Sequence, residues 1–510
     1  MLVIQILCYL LLIVKCESSR ILAVFPTPAY SHHEVFRLFT LELAERGHQV
    51  VVITPFPFIT TETSQNITEI DVYNVTKNVG NYVRKEFEKS GGDAMIVRKL
   101  CLQVPGRIFE AQIQTEQVQH LLKDKKQKFD LIIAEAIIRP VVVLSHIYNA
   151  PVIQMSSFGG NIGIFMSVGA AIQPFIFPTE TGQKFQYLTF WDKLSELYNY
   201  YLWIREYNKA EEDENEILKS NFGPETPVIS ELMKNVVLVF LNVHPLWDSN
   251  RPVPANVIYL GTISAKPQGN LSKELQDYLD NSLNDVIYVS FGTNVDEVAL
   301  KSDKLEIILE VFKNLPYNFL MKWNDKIIGQ PKNVKMLNWF PQVDVLRHPK
   351  VKLFITQGGF QSIHEAIAAG VPIIGIPMMF DQWLNVDKCV QYKIGEQLDI
   401  YSIDKNNLRS SIEKIMQHES YHQNIVKLRN QMSDQSEQPM ERAIWWTEYV
   451  LRHGREANLK APSANMSSVE YYEVELVLLV IVTVSAILVV TLKILCSLVA
   501  FILSGKTKVD

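Results

Sequence analysis

Two groups of side chains have the types and spacing to do chemistry on a phosphorylated, hydroxylated ligand, and the larger lies between Trp339 and Gln382. Thr356-Gln357-Gly358-Gly359 separates an apolar strand pattern from a helical one. Two glycines there let the backbone approach a ligand where the first helical N–H groups point outward, a place that favours an anion. A tight strand-to-helix turn also asks for glycine on steric grounds alone. Ser362, in the first helical turn, can donate to a phosphate oxygen, whereas Glu365, one turn on, suits hydroxyls. Trp339-Phe340-Pro341-Gln342 closes the preceding strand pattern with an indole face for a planar base and an amide for hydrogen bonds. Asp381-Gln382 follows the next strand with side chains matched to paired hydroxyls. Singly, each is equally a packing or capping residue; in order, they describe a base, a ribose, a diphosphate and a sugar.

The second group is Ser31-His32-His33-Glu34, after the first apolar run of the body. An imidazole has an ordinary pKa of ~6.5, so at neutral pH it is mostly uncharged and able to take a proton. By residue type alone, His32 and His33 serve equally as that base, or as capping and surface residues. No Asp-x-Asp triplet occurs in the chain, so the carboxylate pair that commonly holds a nucleotide-bound divalent ion is missing. The expectation is an enzyme with no metal requirement and no cofactor.

These residues need elements to hold them. Arg20–Phe25 reads as a short strand, followed by a loop at Pro26–Tyr30, a helix ending at Gly47 and a second strand at Gln49–Thr54. That is a βαβ unit, which implies a parallel sheet with the loop after the first strand at its carboxyl edge, where ligands bind. Phe129–Ala134 and Pro151–Met155 read as further buried strands, and Tyr187–Leu218 as aromatic and acidic surface helices. Prolines at 245, 252, 254 and 267 mark a linker. The pattern then restarts with strands at Val286–Phe291, Asn318–Lys322, Val334–Asn338, Lys352–Thr356 and Pro372–Ile376. Helices are expected at Asp303–Asn314, Phe360–Ala369, Asp381–Gln391 and Met440–His453. The expected architecture is α/β, two successive doubly wound domains facing a cleft, with 20–250 as the first domain, 251–285 as linker and 286–455 as the second domain with its closing helix.

The ends place the body. Leu2–Val14 is apolar apart from Gln5 and turns polar at Lys15–Ser19, a pattern that reads as a cleaved secretory leader over residues 1–19. Leu476–Leu492 carries no charge, and the apolar run resumes after Lys493, so residues 476–503 are expected to span a membrane after a juxtamembrane stretch at 456–475. The tail 504–510 holds Lys506 and Lys508, which places it in the cytosol and the body in the lumen, and resembles a dilysine retrieval signal for the endoplasmic reticulum. Sequons at Asn66, Asn74, Asn270 and Asn465 all fall on the lumenal side. With 49 basic against 55 acidic residues and a net charge of −6, there is no global basic field for nucleic acid. The 47% hydrophobic content supports large cores, and five cysteines are too few for a disulfide scaffold.

The run Trp339-Phe340-Pro341-Gln342, His348-Pro349-Lys350, Phe354 to Ala366, Gly370 to Pro377 and Asp381-Gln382 resembles the donor-binding signature of the membrane-bound UDP-glycosyltransferases, and the resemblance extends over nearly the whole chain. It implies a GT-B arrangement of two Rossmann-like domains. It further implies that Trp339 stacks on uracil, that Gln342 and Glu365 hold the ribose, and that Asp381 and Gln382 hold the sugar. The diphosphate falls to the loop Ser290-Phe291-Gly292-Thr293 and to Gln361 and Ser362, beside the Gly358-Gly359 turn. His32, after Ser31, matches the family's base, and Glu135, closing the segment from Phe129, matches the acid that orients it. Three positions depart from the common pattern. Glu135 stands where Asp is usual, and Lys322 where Arg is frequent. Gln357 stands where many members have a His that contacts the diphosphate; an amide donates but carries no charge, which shifts stabilisation of departing UDP toward the helix dipole and neighbouring amides.

The implied reaction is inverting transfer of a hexose from a UDP-sugar to a hydroxyl of a small lipophilic acceptor. Glucose is the expected sugar, because the Gln357 and Glu135 variants are similar to those of invertebrate members. Glucuronate, a membrane-lipid acceptor, and a noncatalytic protein that retains UDP-sugar or lipophile binding are the competing readings, and homo-oligomerisation is compatible with all of them.

Overall fold

The computed structural model describes residues 18–58, 65–90, 94–178, 185–264, 269, 271–292, 302–324, 329–457 and 459–506. Leader residues 1–17, Thr293, the Asn270 sequon and Lys508 lie outside them.

Among the described residues, thirteen strands form two parallel sheets. The first comprises β1 (Arg20–Val24), β2 (Gln49–Thr54), β3 (Ile67–Asp71), β4 (Leu131–Glu135), β5 (Val152–Ser156), β6 (Val236–Leu241) and β7 (Val257–Tyr259), in the order β3-β2-β1-β4-β5-β6-β7. The second comprises β8 (Val286–Ser290), β9 (Asn318–Lys322), β10 (Val334–Leu337), β11 (Val351–Thr356), β12 (Ile373–Gly375) and β13 (Gly395–Gln397), in the order β10-β9-β8-β11-β12-β13. Central strands such as β4, Leu-Ile-Ile-Ala-Glu, are buried at every position, as expected of parallel strands covered by helices on both faces.

In each sheet the chain order reverses once, between β1 and β4 in the first and between β8 and β11 in the second. At such a switch point the connections leave to opposite faces, and the crevice at the carboxyl ends becomes a ligand site. Both groups of chemistry-bearing residues sit there. The helices that matter to them are α1 (Tyr30–Glu45), α2 (Phe190–Phe222), α3 (Gln342–Arg347), α4 (Phe360–Ala369), α5 (Gln382–Gln391), α6 (Pro439–His453) and α7 (Val474–Lys506).

Two features of the structure bear on the expected domain extents. The stretch read as linker contains β7, which pairs with β6, and a helix at Lys273–Asp280 whose Leu275 and Leu279 are buried. The helix expected to close the second unit, α6, instead packs on the first: Ala443, Ile444 and Val450 join the core formed by Ile21, Val35 and Phe39. Glu441 in its first turn receives Arg46 Nη2 at 2.7 Å. Its apolar stripe matches the surface of α1, and burying that stripe there removes both faces from water.

At the carboxyl end, Val474–Ile502 is a fully exposed apolar helix of 29 residues. At 1.5 Å per residue it reaches ~43 Å, more than the ~30 Å of a bilayer's hydrocarbon core, so it is long and apolar enough to cross a membrane.

Candidate active site

Residues after β1 and β4 share one edge because the two strands pair in register, Val24 opposite Ala134. Glu135, the last residue of β4, is buried. One of its oxygens, Oε2, accepts the backbone N–H of Thr27 at 3.0 Å, and the other, Oε1, lies 3.4 Å from His32 Nδ1. The second ring nitrogen of His32 is on the far side of the imidazole from Glu135, and the ring rests 5.3 Å from that of Phe158.

His33 is one residue further along α1, so its side chain is turned by about 100° into the core. Its Nε2 lies 2.7 Å from the Thr27 carbonyl, which only an N–H can satisfy, leaving Nδ1 to accept from the Thr54 hydroxyl at 3.0 Å. Burial lowers its pKa to about 4, so it is held neutral with both nitrogens engaged. The two histidines that the sequence could not separate therefore have different surroundings: His33 is locked in the core, and His32 lines the cavity.

Across the cavity, Gln342 opens α3 and gathers three partners. Its Oε1 accepts from the Tyr288 hydroxyl at 3.2 Å, and its Nε2 donates to Ser362 Oγ at 3.0 Å and Glu365 Oε2 at 2.7 Å. Burial pushes the Glu365 carboxyl up to about 7, the Gln342 amide opposes that, and the Glu34 carboxylate adds to it from α1 of the opposite unit. Trp339 is 54% exposed at the mouth, with the Tyr30 ring edge-on at 5.8 Å and Lys322 Nζ 5.0 Å from its centroid. That ammonium also donates to the Gly292 carbonyl at 2.7 Å, and burial lowers its pKa.

The turn at Gly358-Gly359 is tight. Gly358 has φ +88°, and a Cβ there would stand 2.3 Å from Val386 Cγ2. Gly292, after β8, has φ +78°, and its missing Cβ leaves room for Gln357 Nε2, 2.2 Å from where that carbon would be. Gln357 is buried, its Oε1 accepting from the Thr356 hydroxyl at 2.9 Å. Ser290 Oγ accepts the Gly292 N–H at 3.4 Å. Asp381 precedes α5 and accepts from Asn385 Nδ2 at 2.7 Å; burial raises its pKa, with His32 among the groups that oppose the rise. The Gln382 side-chain oxygen, Oε1, accepts the backbone N–H groups of Met378 and Met379 at 2.8 and 2.9 Å, which pins the loop before the helix. Gln361 reaches across to the first unit and donates to the Ser157 carbonyl at 3.1 Å.

All of this opens on one cavity of about 1140 Å³ lined by both units. The first unit supplies an apolar wall that includes Phe56, Leu100, Val104, Ile108, Ile138 and Phe158 beside His32. The second supplies Trp339, Gln342, Gln357, Ser362, Glu365 and Asp381. An apolar pocket with a few convergent polar groups is the ordinary build of a small-molecule site.

Sequence reasoning missed several residues that order the site. Asn385 is one turn after Asp381, and its Oδ1 accepts Trp247 Nε1 at 3.3 Å, tying the segment before β7 to α5. Its position four after Asp381 on an expected helix was the available signal. Tyr288 gave none, being read as strand core, and Glu34 stood in the Ser31-His32-His33-Glu34 group without a role of its own. Arg139 Nη2 meets Glu214 Oε2 at 2.7 Å in the wall of the cavity, a pairing between residues 75 apart that no local pattern encodes. Among the described residues, no three His, Cys, Asp or Glu side chains are grouped to hold a metal ion.

Two Rossmann-type sheets facing one cavity at their switch points define the class: the protein is a GT-B glycosyltransferase. Solved structures agree in fold. The spinosyn forosaminyltransferase superposes with a TM-score of 0.59 at 14% identity, covering 85% of this chain and 99% of that one. A UDP-glucose:anthocyanidin 3-O-glucosyltransferase in complex with UDP superposes with a TM-score of 0.55 at 18% identity, covering 86% and 99%. The chain belongs to the family described as UDP-glucoronosyl and UDP-glucosyl transferase, whose model matches residues 20–509. It is 36% identical over 488 residues to an ecdysteroid UDP-glucosyltransferase of Spodoptera littoralis nuclear polyhedrosis virus, covering 92% of this chain and 95% of the relative. It is 28% identical over 475 residues to UDP-glucosyltransferase 2 of Dactylopius coccus, covering 92% and 91%. The protein is thus an enzyme that transfers sugar from a UDP-sugar donor.

Proposed function

We propose that the protein transfers glucose from UDP-glucose to a hydroxyl of a small lipophilic acceptor, with inversion, using His32 as general base and Glu135 as the acid that orients it. The observation that carries this reading is the placement of His32 against buried Glu135 on one wall and Asp381 on the other, near enough for His32 to bear on its ionisation. An acceptor hydroxyl against the apolar wall gives its proton to the His32 nitrogen remote from Glu135 while its oxygen attacks the anomeric carbon. The carbon–oxygen bond to UDP breaks on the opposite face, and its electron pair goes to the departing diphosphate. Glu135 stabilises the imidazolium without itself taking the proton, and its other oxygen, which accepts the Thr27 N–H, holds the carboxylate in place.

In this reading Trp339 stacks on uracil, and Gln342 and Glu365, bonded to each other, take the ribose. Gly358, Gly359, Gln357, Ser290, Gly292, Gln361 and Ser362 surround the diphosphate at the start of α4, and Thr293, outside the described residues, is assigned to it as well. Lys322 supplies positive charge beside Gly292, and Asp381 and Gln382 hold the sugar hydroxyls. The first unit is the acceptor side and the second the donor side, and no divalent metal takes part. Glucose as donor is supported by relatives named as UDP-glucosyltransferases. Those named for ecdysteroids support a hydroxylated, steroid-like acceptor. The body is placed in the lumen of the endoplasmic reticulum as a single-pass type I protein anchored by α7.

Microsomes expressing the chain, incubated with phenols, flavonoids and hydroxysteroids plus UDP-glucose or UDP-glucuronate, test this reading by product mass. A hexose adduct supports it. A glucuronide replaces the donor, and no adduct despite UDP-sugar binding removes the small-acceptor assignment.

A further inference from the structure

The first four turns of α2 carry a surface that the donor and acceptor sites do not use. Phe190, Trp191, Leu194, Leu197, Tyr198 and Tyr201 are each between 49% and 73% exposed. At 100° per residue they fall within about 60° on either side of Leu194, one continuous stripe along the helix. The opposite side of the same helix packs normally, with Trp203 and Ala210 buried. An exposed stripe of this size on one face marks an interaction surface.

The neighbourhood of the stripe says what meets it. The segment before α7 is strapped to the first unit: Asn465 N–H donates to the Ser167 carbonyl at 3.1 Å, and Ser463 Oγ to the Gly169 carbonyl at 3.3 Å. The strap leads through a short helix, Ser468–Tyr471, directly into the apolar span beginning at Val474. Tyr472, two residues before that span, lies close enough to Tyr200 on α2 for their hydroxyls to interact; burial first, and then Tyr472, push Tyr200 up to about 12. The apolar span therefore starts beside α2, next to the turn that carries Leu197 and Tyr201 of the stripe. The stripe's composition, with four of six side chains aromatic, is that of residues which settle at the boundary of hydrocarbon and headgroups.

We infer that the amino-terminal half of α2 lies in the headgroup region of a lipid bilayer, inserting the Trp191, Leu194 and Tyr198 face beside the point where α7 enters. The body is then held to the membrane at two places, the span and this helix, which fixes its tilt and sets the cavity close to the lipid from which a lipophilic acceptor partitions. Attachment of this kind comes from apolar burial and not from charge, so salt does not weaken it. The inference rests on α7 spanning a bilayer.

The test uses the full-length chain in phosphatidylcholine vesicles at no more than one chain per vesicle. Cys101→Ser and Cys496→Ser remove the accessible thiols among the described residues, Cys389 being buried, and Cys8→Ser and Cys16→Ser remove those of the first 17 residues. Leu194→Cys then carries an environment-sensitive fluorophore, and Lys219→Cys, exposed about 38 Å further along the same helix, is the control. The expected result is blue-shifted emission at position 194 with several-fold stronger quenching by spin-labelled lipid than at position 219, unchanged between low and high salt. Tyr198→Cys gives the same reading from the next turn. Water-like emission at both 194 and 198 in chains that float with the vesicles overturns the inference and leaves the span intact. Shielding of 194 seen only at several chains per vesicle assigns the face to a second copy and overturns it too. Chains that do not float remove the span and this inference together.

Discussion

His32 Nδ1 faces Glu135 Oε1 at 3.4 Å, across 103 residues of sequence, while the other oxygen of the same carboxylate accepts the Thr27 N–H. The carboxylate is thus fixed by backbone before the imidazole arrives, and His32 is oriented by a group that cannot swing away.

Replacing His32 with Ala is expected to lower kcat by roughly 10²–10⁴-fold, the usual worth of a positioned general base, with UDP-glucose affinity unchanged. Titration calorimetry with UDP and steady-state turnover check the two halves. His33→Ala is expected to act on stability instead, because it strands the Thr27 carbonyl and Thr54 hydroxyl in the core; a loss of roughly 1–3 kcal/mol is the scale for such orphaned groups.

Glu135→Gln keeps the size of the side chain and its acceptor for Thr27 but removes the charge that stabilises a protonated His32. We expect kcat to fall more than KM changes, with the acidic limb of the kcat/KM profile displaced. Glu135→Asp shortens a side chain that already spans two partners, so it is expected to keep one contact and lose the other. A pH profile of all three forms distinguishes loss of orientation from a merely structural defect.

Glu365 gives a pH dependence whose sign follows from its surroundings. Its pKa is about 7 in the folded chain against 4.5 in the open one, so between these values the native state holds a proton that the unfolded state has released. That contribution to stability is complete below pH 4.5 and is lost as pH rises through 7. On going from pH 5 to pH 8 the wild type is expected to lose stability relative to Glu365→Gln, by on the order of 2 kcal/mol. Denaturant melts of both proteins at the two pH values measure the difference, and parallel curves would refute it.

Gly358→Ala is expected to damage the donor site by geometry alone. The new methyl meets Val386 at 2.3 Å on a backbone held at φ +88°, a conformation that costs an L side chain about 1–3 kcal/mol. The measured outcome is a rise in the dissociation constant for UDP. Val386→Ala in the same chain is expected to recover only the steric part, since the backbone strain remains.

Chelation is expected to leave turnover unchanged. A matched assay with and without EDTA, after exhaustive dialysis, checks this, and loss of activity restored by one divalent ion would overturn it.

Much of the fold was legible because its signals are local. Val286–Ser290, Asn318–Lys322 and Phe360–Ala369 follow from runs of β-branched and apolar residues and from a helical period closed by Gly370. Strands β3, β6, β7 and β13 were not read: β3 and β13 stand at sheet edges and carry polar residues, β7 is an edge strand of only three residues, and β6 is a single apolar run, Val236–Leu241, with no alternation to mark it as a strand. The donor side of the site was legible as a series of strand ends, since a parallel sheet delivers every carboxyl end to one edge. The bonds among those residues, such as Gln342 to Ser362 and Glu365, were not, because they join different connections.

By itself the sequence determined the α/β alternation, the glycine turns at 292 and 358, the apolar carboxyl-terminal run and the inventory of groups able to touch base, ribose, phosphate and sugar. These depend on spacing within a few turns of chain, where steric limits and hydrophobic period act directly. Only the tertiary structure decided which histidine faces the cavity, because that depends on the rotation of α1 against the sheet beneath it. Only it returned α6 to the first unit, where a stripe near the end of the chain meets one near its beginning. And only it laid the aromatic face of α2 beside the apolar span, since burial is a property of which surfaces meet, and surfaces distant in sequence meet only once the chain has folded.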